Sequence, residues 1–118
     1  MSTSLYERLG GTPGIEAIAK DLVANHLANP RISSRYTSDP GALANGAATF
    51  FIQGTGGPAV YEGDDMPTVH RSMNIDNDEF VAVLDDALAA LDSNNIGQRE
   101  KEEVLFVLYS MKGDIVGL

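Results

Sequence analysis

Apolar residues recur along this chain at spacings of three and four, and caps, prolines and paired glycines divide that pattern into segments. Ser4-Leu5-Tyr6-Glu7-Arg8-Leu9 makes a helical turn or two with Leu5 and Leu9 on one side. Gly10-Gly11 then makes a sharp corner natural. Thr12-Pro13 reads as a cap followed by a first-turn proline. The helix it opens runs to about Ala28, with Ile15, Ile18, Ala19, Leu22, Val23, His26 and Leu27 on its inner stripe, and Asn29-Pro30 stops it. Residues 31–38 form a polar connection carrying two large side chains, Ile32 and Tyr36. Asp39-Pro40 repeats the cap-and-proline signal and opens a third helix through about Gln53. Its expected inward stripe is Leu43, Ala47 and Phe50, with Phe51 beside it.

Gly54-Thr55-Gly56-Gly57-Pro58 breaks that helix, and residues 59–65 lead into a short segment around His70. Asp65 can cap a short helix there, with Pro67 in its first turn. Met66, Val69, His70 and Met73 then fall at i, i+3, i+4 and i+7, so the imidazole sits on an apolar face. Asp76-Asn77-Asp78-Glu79 has the form of a capping box. Phe80, Val83, Leu84, Ala87, Leu88 and Leu91 follow at helical spacing. A turn at Ser93 to Gly97 precedes a last helix with Val104, Leu105, Val107, Leu108, Met111 and Ile115 inward. No segment alternates as a strand does and nothing repeats, so the pattern predicts one all-α domain over residues 1–118.

Composition narrows the chemistry. A chain of 118 residues suffices for a single core, and its formal charge of -9 argues against nucleic acid and anionic membrane surfaces as partners. No run approaches the roughly 18 apolar residues of a membrane span, and the N-terminus lacks a basic-then-apolar signal, so the expected compartment is the cytoplasm. With no cysteine there is no disulfide, thiolate metal site, iron–sulfur cluster or thioether-linked cofactor. Any metal must come through His70, His26, carboxylates or a cofactor. Gly56-Gly57-Pro58 lacks the lysine of a phosphate loop and reads as a corner. Glu100, Glu102 and Glu103 read as a solvated face that favours the helix dipole, and Asp85-Asp86 read as outer-face residues. His26 reads as a partly buried helix-packing residue. The third helix is crowded with Gly41, Ala42, Ala44, Gly46, Ala47 and Ala48, although each interior glycine costs about 1 kcal/mol relative to alanine. Such residues admit close approach by either another helix or a flat ligand.

Ser4-Leu5-Tyr6-Glu7-Arg8-Leu9-Gly10-Gly11, Leu27-Ala28-Asn29-Pro30-Arg31-Ile32, Thr49-Phe50-Phe51, Gly56-Gly57-Pro58-Ala59-Val60-Tyr61-Glu62-Gly63 and Met66…Val69-His70…Met73-Asn74-Ile75 follow one another along the chain. That order of features resembles the truncated haemoglobins, and most closely their first group. It implies a 2-on-2 helical sandwich around one haem, with His70 as the proximal iron ligand. Phe50 and Phe51 match the aromatic pair ending the distal-side helix. Leu43 and Ala47 match the positions facing the bound gas, and Tyr36 matches an aromatic at the porphyrin edge. Met66, Val69, Met73, Ile75, Phe80 and Val83 fall where family members line the proximal and lower pocket. The residues themselves agree, since one imidazole among apolar side chains and a glycine–alanine helix suit a flat hydrophobic cofactor with one axial ligand. Met66 and Met73 share the short segment of His70 and read as proximal packing, not as a second ligand.

Departures from the family pattern concentrate on the distal side. Val23 stands where a ligand-binding tyrosine is usual, Ala47 where a glutamine is common, and Gly46 where some members place a sixth-position histidine. The last helix has no histidine to hold haem covalently. No basic residue stands near Gly46 to meet a haem propionate, which leaves Arg35 and Arg71 as substitutes. The resemblance therefore implies non-covalent haem b, reversible binding of oxygen, CO and NO in an apolar pocket of Val23, Leu43, Ala47 and Tyr36, and a monomer served by a reductase. Oxygen carriage or sensing is the implied role, with NO or peroxide chemistry secondary. The alternative from another class is a cofactor-free helical interaction module in which His70 is merely buried.

Overall fold

The computed structural model describes residues 4–35, 39–58, 60–61 and 75–116, the side chains of Arg35 and Asp114 excepted. Within them lie five helices: α1 (Leu5–Arg8), α2 (Gly11–Ala28), α3 (Pro40–Gly54), α4 (Asn77–Ser93) and α5 (Gln98–Ser110). Short 3-10 turns at Ser33–Arg35 and Lys112–Asp114 complete the order. Among the described residues there is no strand, only an isolated parallel bridge between Ile75 and Val116. No described helix is long and apolar enough to cross a membrane.

Among the described residues, capping follows the sequence at two of the three helix starts it marks, and Ser4 adds a cap that the sequence pattern did not single out. Ser4 accepts the amide of Glu7, Asp39 accepts that of Ala42 behind Pro40, and Asp76 with Glu79 closes a full capping box. Thr12 is the exception, because α2 begins at Gly11 with Gly10 as its cap. Gly10 and Gly11 take φ of 100° and 67°, a left-handed path that costs glycine little, and this lets the helix start early. Thr12 instead lies in the first turn, where its hydroxyl meets the Tyr6 hydroxyl at 2.6 Å.

The central element is α2, which packs against α3 on one side and α4 on another. Ile15, Ile18 and Leu22 join Leu9, Ile52, Ala87, Ala90, Leu91 and Val104 in the main core cluster. Leu27 departs from the expected inner stripe and is 37% exposed, at the end of α2 where its packing partners run out. On α4 the most deeply covered positions include Ala82 and Ala90, whereas Val83, Leu84 and Leu88 are only half-buried. Helix α5 seals the cluster with Val104 and ends at Ser110. The continuation expected through Met111 and Ile115 is a 3-10 turn, with both residues half-buried.

Two polar ties hold this frame. Asp86, expected on an outer face, points at α2 and meets His26 Nδ1 at 2.7 Å, while the Asn29 amide donates to the same carboxylate at 3.2 and 3.3 Å. Ala82, Asp86 and Ala90 form an i, i+4, i+8 stripe whose small flanking residues bring α4 close enough to α2 for that contact. Arg8 of α1 pairs with both Glu100 and Glu103 of α5, so part of the supposed solvated face is a helix-to-helix clasp. Arg8 holds the Glu103 carboxyl below its ordinary range, and the two glutamates raise the guanidinium in turn.

Candidate functional site

Helix α3 presents two unlike faces. Ala48 and Ile52 are 4% exposed and face the protein, with Phe51 packed beside them on the core. Leu43, Ala47 and Phe50, expected to be the inward stripe, are only half-buried. The inward stripe sits one residue along: α3 packs on α2, and Ile52, with Phe51 beside it, joins the core cluster that also holds residues of α4 and α5. A Cβ added at Gly46 would meet nothing within 4 Å, so no neighbouring helix requires that glycine. The two readings of the small-residue helix thus divide by position: Ala48 serves helix packing, Gly46 borders open space, and Ala47 is half-buried.

On α2, Val23 is buried at 5% exposure and carries no hydrogen-bonding group. None of Val23, Leu43 and Ala47 has a side chain that can donate a hydrogen bond. Phe50 stands at the end of the face, with its ring 5.9 Å from Phe51 and 5.4 Å from Tyr61, both in edge-to-face geometry. Tyr61 was not singled out by sequence reasoning, although it lies three residues after Gly56-Gly57-Pro58. Its backbone amide donates to Gln53 Oε1 at 3.1 Å, which returns the chain to α3.

The corner before it is fixed by Tyr6. A Cβ on Gly57 would fall 2.5 Å from the Tyr6 ring and 2.8 Å from the Ile52 carbonyl, and Tyr6 N–H donates to Thr55 O at 2.9 Å. Only a residue without a side chain lets the tyrosine lie across this turn. Tyr6 therefore links both glycine corners.

On the other side of the molecule, Phe80 is 4% exposed, Ile75 is 9% exposed, and Val83 is half-buried. His70, Met66, Val69, Met73, Tyr36 and Arg71 lie outside the described residues, as does the short helix expected from Asp65 and Pro67. His26 is committed elsewhere: burial lowers its pKa, and Asp86 opposes this in part. A neutral imidazole donating from Nδ1 to the carboxylate satisfies both. Among the described residues no cluster of three or more His, Cys, Asp or Glu side chains could hold a metal ion. A half-covered apolar helix face with open space over a glycine fits a flat apolar group better than a polar or ionic ligand.

Comparison with known proteins agrees with that geometry. A group 1 truncated hemoglobin of Tetrahymena pyriformis is 25% identical over 115 residues, covering 97% of this chain and 95% of the relative. One from Mycolicibacterium paratuberculosis is 26% identical over 113 residues, covering 95% and 83%. The crystal structure of the Tetrahymena pyriformis protein in its Fe(III) form superposes with a TM-score of 0.94, over 98% of this chain and all of that one. Residues 4–116 match the profile of the bacterial-like globins, and the chain belongs to that family.

Proposed function

We propose that this protein is a haem-dependent binder of small gaseous ligands, with His70 as the sole protein ligand to the iron and a distal side that offers no hydrogen bond. The observation that carries the distal half of this reading is the α3 face, where Leu43, Ala47 and Phe50 are left half-covered and Gly46 borders open space. Haem bound there supplies an iron with an open position for a gas. The chain's own residues supply the rest. Leu43, Ala47 and Val23 exclude water and present only hydrocarbon, and Phe50 with Phe51 and Tyr61 closes one end. His70 is the one remaining imidazole, because His26 is held by Asp86. The last helix has no histidine for covalent attachment, so the haem is held without a bond to α5.

Oxygen, CO and NO are the ligand class. A pocket without a donor favours those that need no hydrogen bond, so carbon monoxide is retained better than oxygen. Met66, Val69, Met73, Ile75, Phe80 and Val83 would line the opposite side, and Tyr36 the edge. The test is to purify the protein with haem and record its Soret band, in wild type and in His70→Ala. A band lost in the variant supports the reading. A wild type that folds and takes up no haem returns the chain to the helical interaction module.

A further inference from the structure

The buried histidine of α2 plays no part in the proposed gas site, yet it stands where the chain leaves for α3. Asp86 of α4 gathers hydrogen bonds from the end of α2 and its cap. Asn25 Nδ2 donates to the Asp86 backbone carbonyl at 3.2 Å, and His26 Nδ1 meets the carboxylate at 2.7 Å. The Asn29 amide donates to both carboxylate oxygens at 3.2 and 3.3 Å. Asn29 passes this hold onward, since its Oδ1 accepts the Arg31 amide at 3.1 Å. Its backbone carbonyl accepts the amides of Ile32 and Ser33 at 3.1 and 2.8 Å. The clasp therefore fixes the start of the connection that ends at Asp39, the cap of α3, and Val23 lies on α2 one turn before His26. The side chains of His26 and Asp86 are only 6% and 13% exposed. Among the described residues, the other charged groups near them are Asp85, which is exposed, and the Arg31–Asp78 pair at 3.6 Å, which line a surface groove with Asn29.

We infer that His26 and Asp86 are positioning residues that act as a proton-operated latch. Closed while the imidazole is neutral, it holds the end of α2 and the connection to α3, and protonation of the imidazole releases both. Its consequence for gas binding rests on the reading above, because α2 carries Val23 and the connection leads to Leu43 and Ala47 of α3. In the closed latch Nδ1–H donates to the carboxylate, and Asn29 shares the same two oxygens. A proton added to the ring places a positive charge where little water reaches it. Burial disfavours that charge and the Asp86 carboxylate favours it, with burial the larger effect, so the closed ring protonates below its ordinary range. A ring opened to water takes the proton more readily, so acid moves the population toward the open latch. Opening draws Asn29 off Asp86 and frees the amides of Ile32 and Ser33.

Three measurements on the haem-loaded chain, taken from neutral pH downward, test this. Nuclear magnetic resonance follows the His26 ring, hydrogen exchange reads the amides of Ile32 and Ser33, and flash photolysis reads carbon monoxide binding. In the wild type, protection of the two amides, corrected for intrinsic exchange, should fall by up to about tenfold per pH unit as His26 takes up one proton. Carbon monoxide binding should accelerate across the same interval. His26→Asn keeps a donor near the position of Nδ1 without a titrating ring, and should make both readouts flat. Asp86→Asn should move the ring titration to lower pH, because the charge that favours the imidazolium is gone. Amide protection that does not fall in the wild type, or falls equally in His26→Asn, overturns the latch, as does a ring titration unmoved by Asp86→Asn. A fall in protection with an unchanged carbon monoxide rate overturns its link to the gas site. A chain that takes up no haem still reports through the ring and the two amides, so failure of haem binding is distinguished from failure of the latch.

Discussion

Helices α3 and α4 both lean on α2, and they use alanine in opposite ways. On α4, Ala82, Ala87 and Ala90 are buried at 5%, 4% and 0% exposure, so a missing side chain there means that another helix has come close. On α3 only Ala48 behaves so, while Gly46 faces space that no described side chain fills and Ala47 is half-buried. Residue size alone does not distinguish the two cases. The difference lies in what stands opposite: α2 for one helix, and for half of the other the volume in which we place the haem.

Several substitutions would break or sharpen that contrast. The largest effect belongs to His70→Ala, which should abolish the Soret band and leave the helical circular dichroism of α2, α4 and α5 in place. Retention of a normal ferrous spectrum would mean that another residue is the iron ligand.

The paired leucine substitutions come next. Ala90→Leu should cost about 1–3 kcal/mol of stability through overpacking, read as a lower Tm. Ala47→Leu should leave the Tm nearly unchanged and slow carbon monoxide binding. If the two variants lost stability equally, the open face of α3 would be a packed one after all.

Val23→Tyr should add a donor to the apolar wall that we propose Val23, Leu43 and Ala47 form. A hydrogen bond to a charge-bearing acceptor contributes about 1.5–3 kcal/mol, so stopped-flow oxygen release should slow about tenfold or more. Slow release already present in the wild type, and unaltered by Tyr36→Phe, would show that the wall is not donor-free.

The smallest effect concerns the sealed side. His26 titrates below its ordinary value in the folded state, chiefly because it is buried, so below the ordinary histidine range the unfolded chain binds more protons. Stability should therefore fall as pH drops through that range, and the fall should end once the folded imidazole is itself protonated. A plot of Tm against pH should be flatter in this window for His26→Gln. The same variant should lose stability overall, because it removes the imidazole partner of Asp86. An unaltered slope would place the titration elsewhere.

The five described helices, most of their caps and most of the core were legible in the chain. Asp39-Pro40, Asp76 to Glu79 and the stripe Ile15, Ile18, Leu22 are local patterns, in which a side chain satisfies an amide three residues away or recurs on one face of one helix. The candidate site was legible in part. His70 and its apolar neighbours stand out by spacing, and the family resemblance assigned the distal positions. Asp86 was misplaced because it neighbours Asp85, which is exposed, and nothing within α4 reveals that His26 and Asn29 wait sixty and fifty-seven positions earlier.

What the sequence by itself determined is whatever one helix can specify alone: its ends, its length and which residues share a face. The globin family is also in the sequence, carried by the joint order of motifs that are weak singly. Tertiary structure alone decided which face meets protein and which is left open. Ala48 and Ile52 turn toward the core and Ala47 and Phe50 away from it because α3 touches the rest of the molecule along one edge. Where α2, α4 and α5 come to lie against that edge depends on contacts between residues far apart in the chain, which no local pattern encodes.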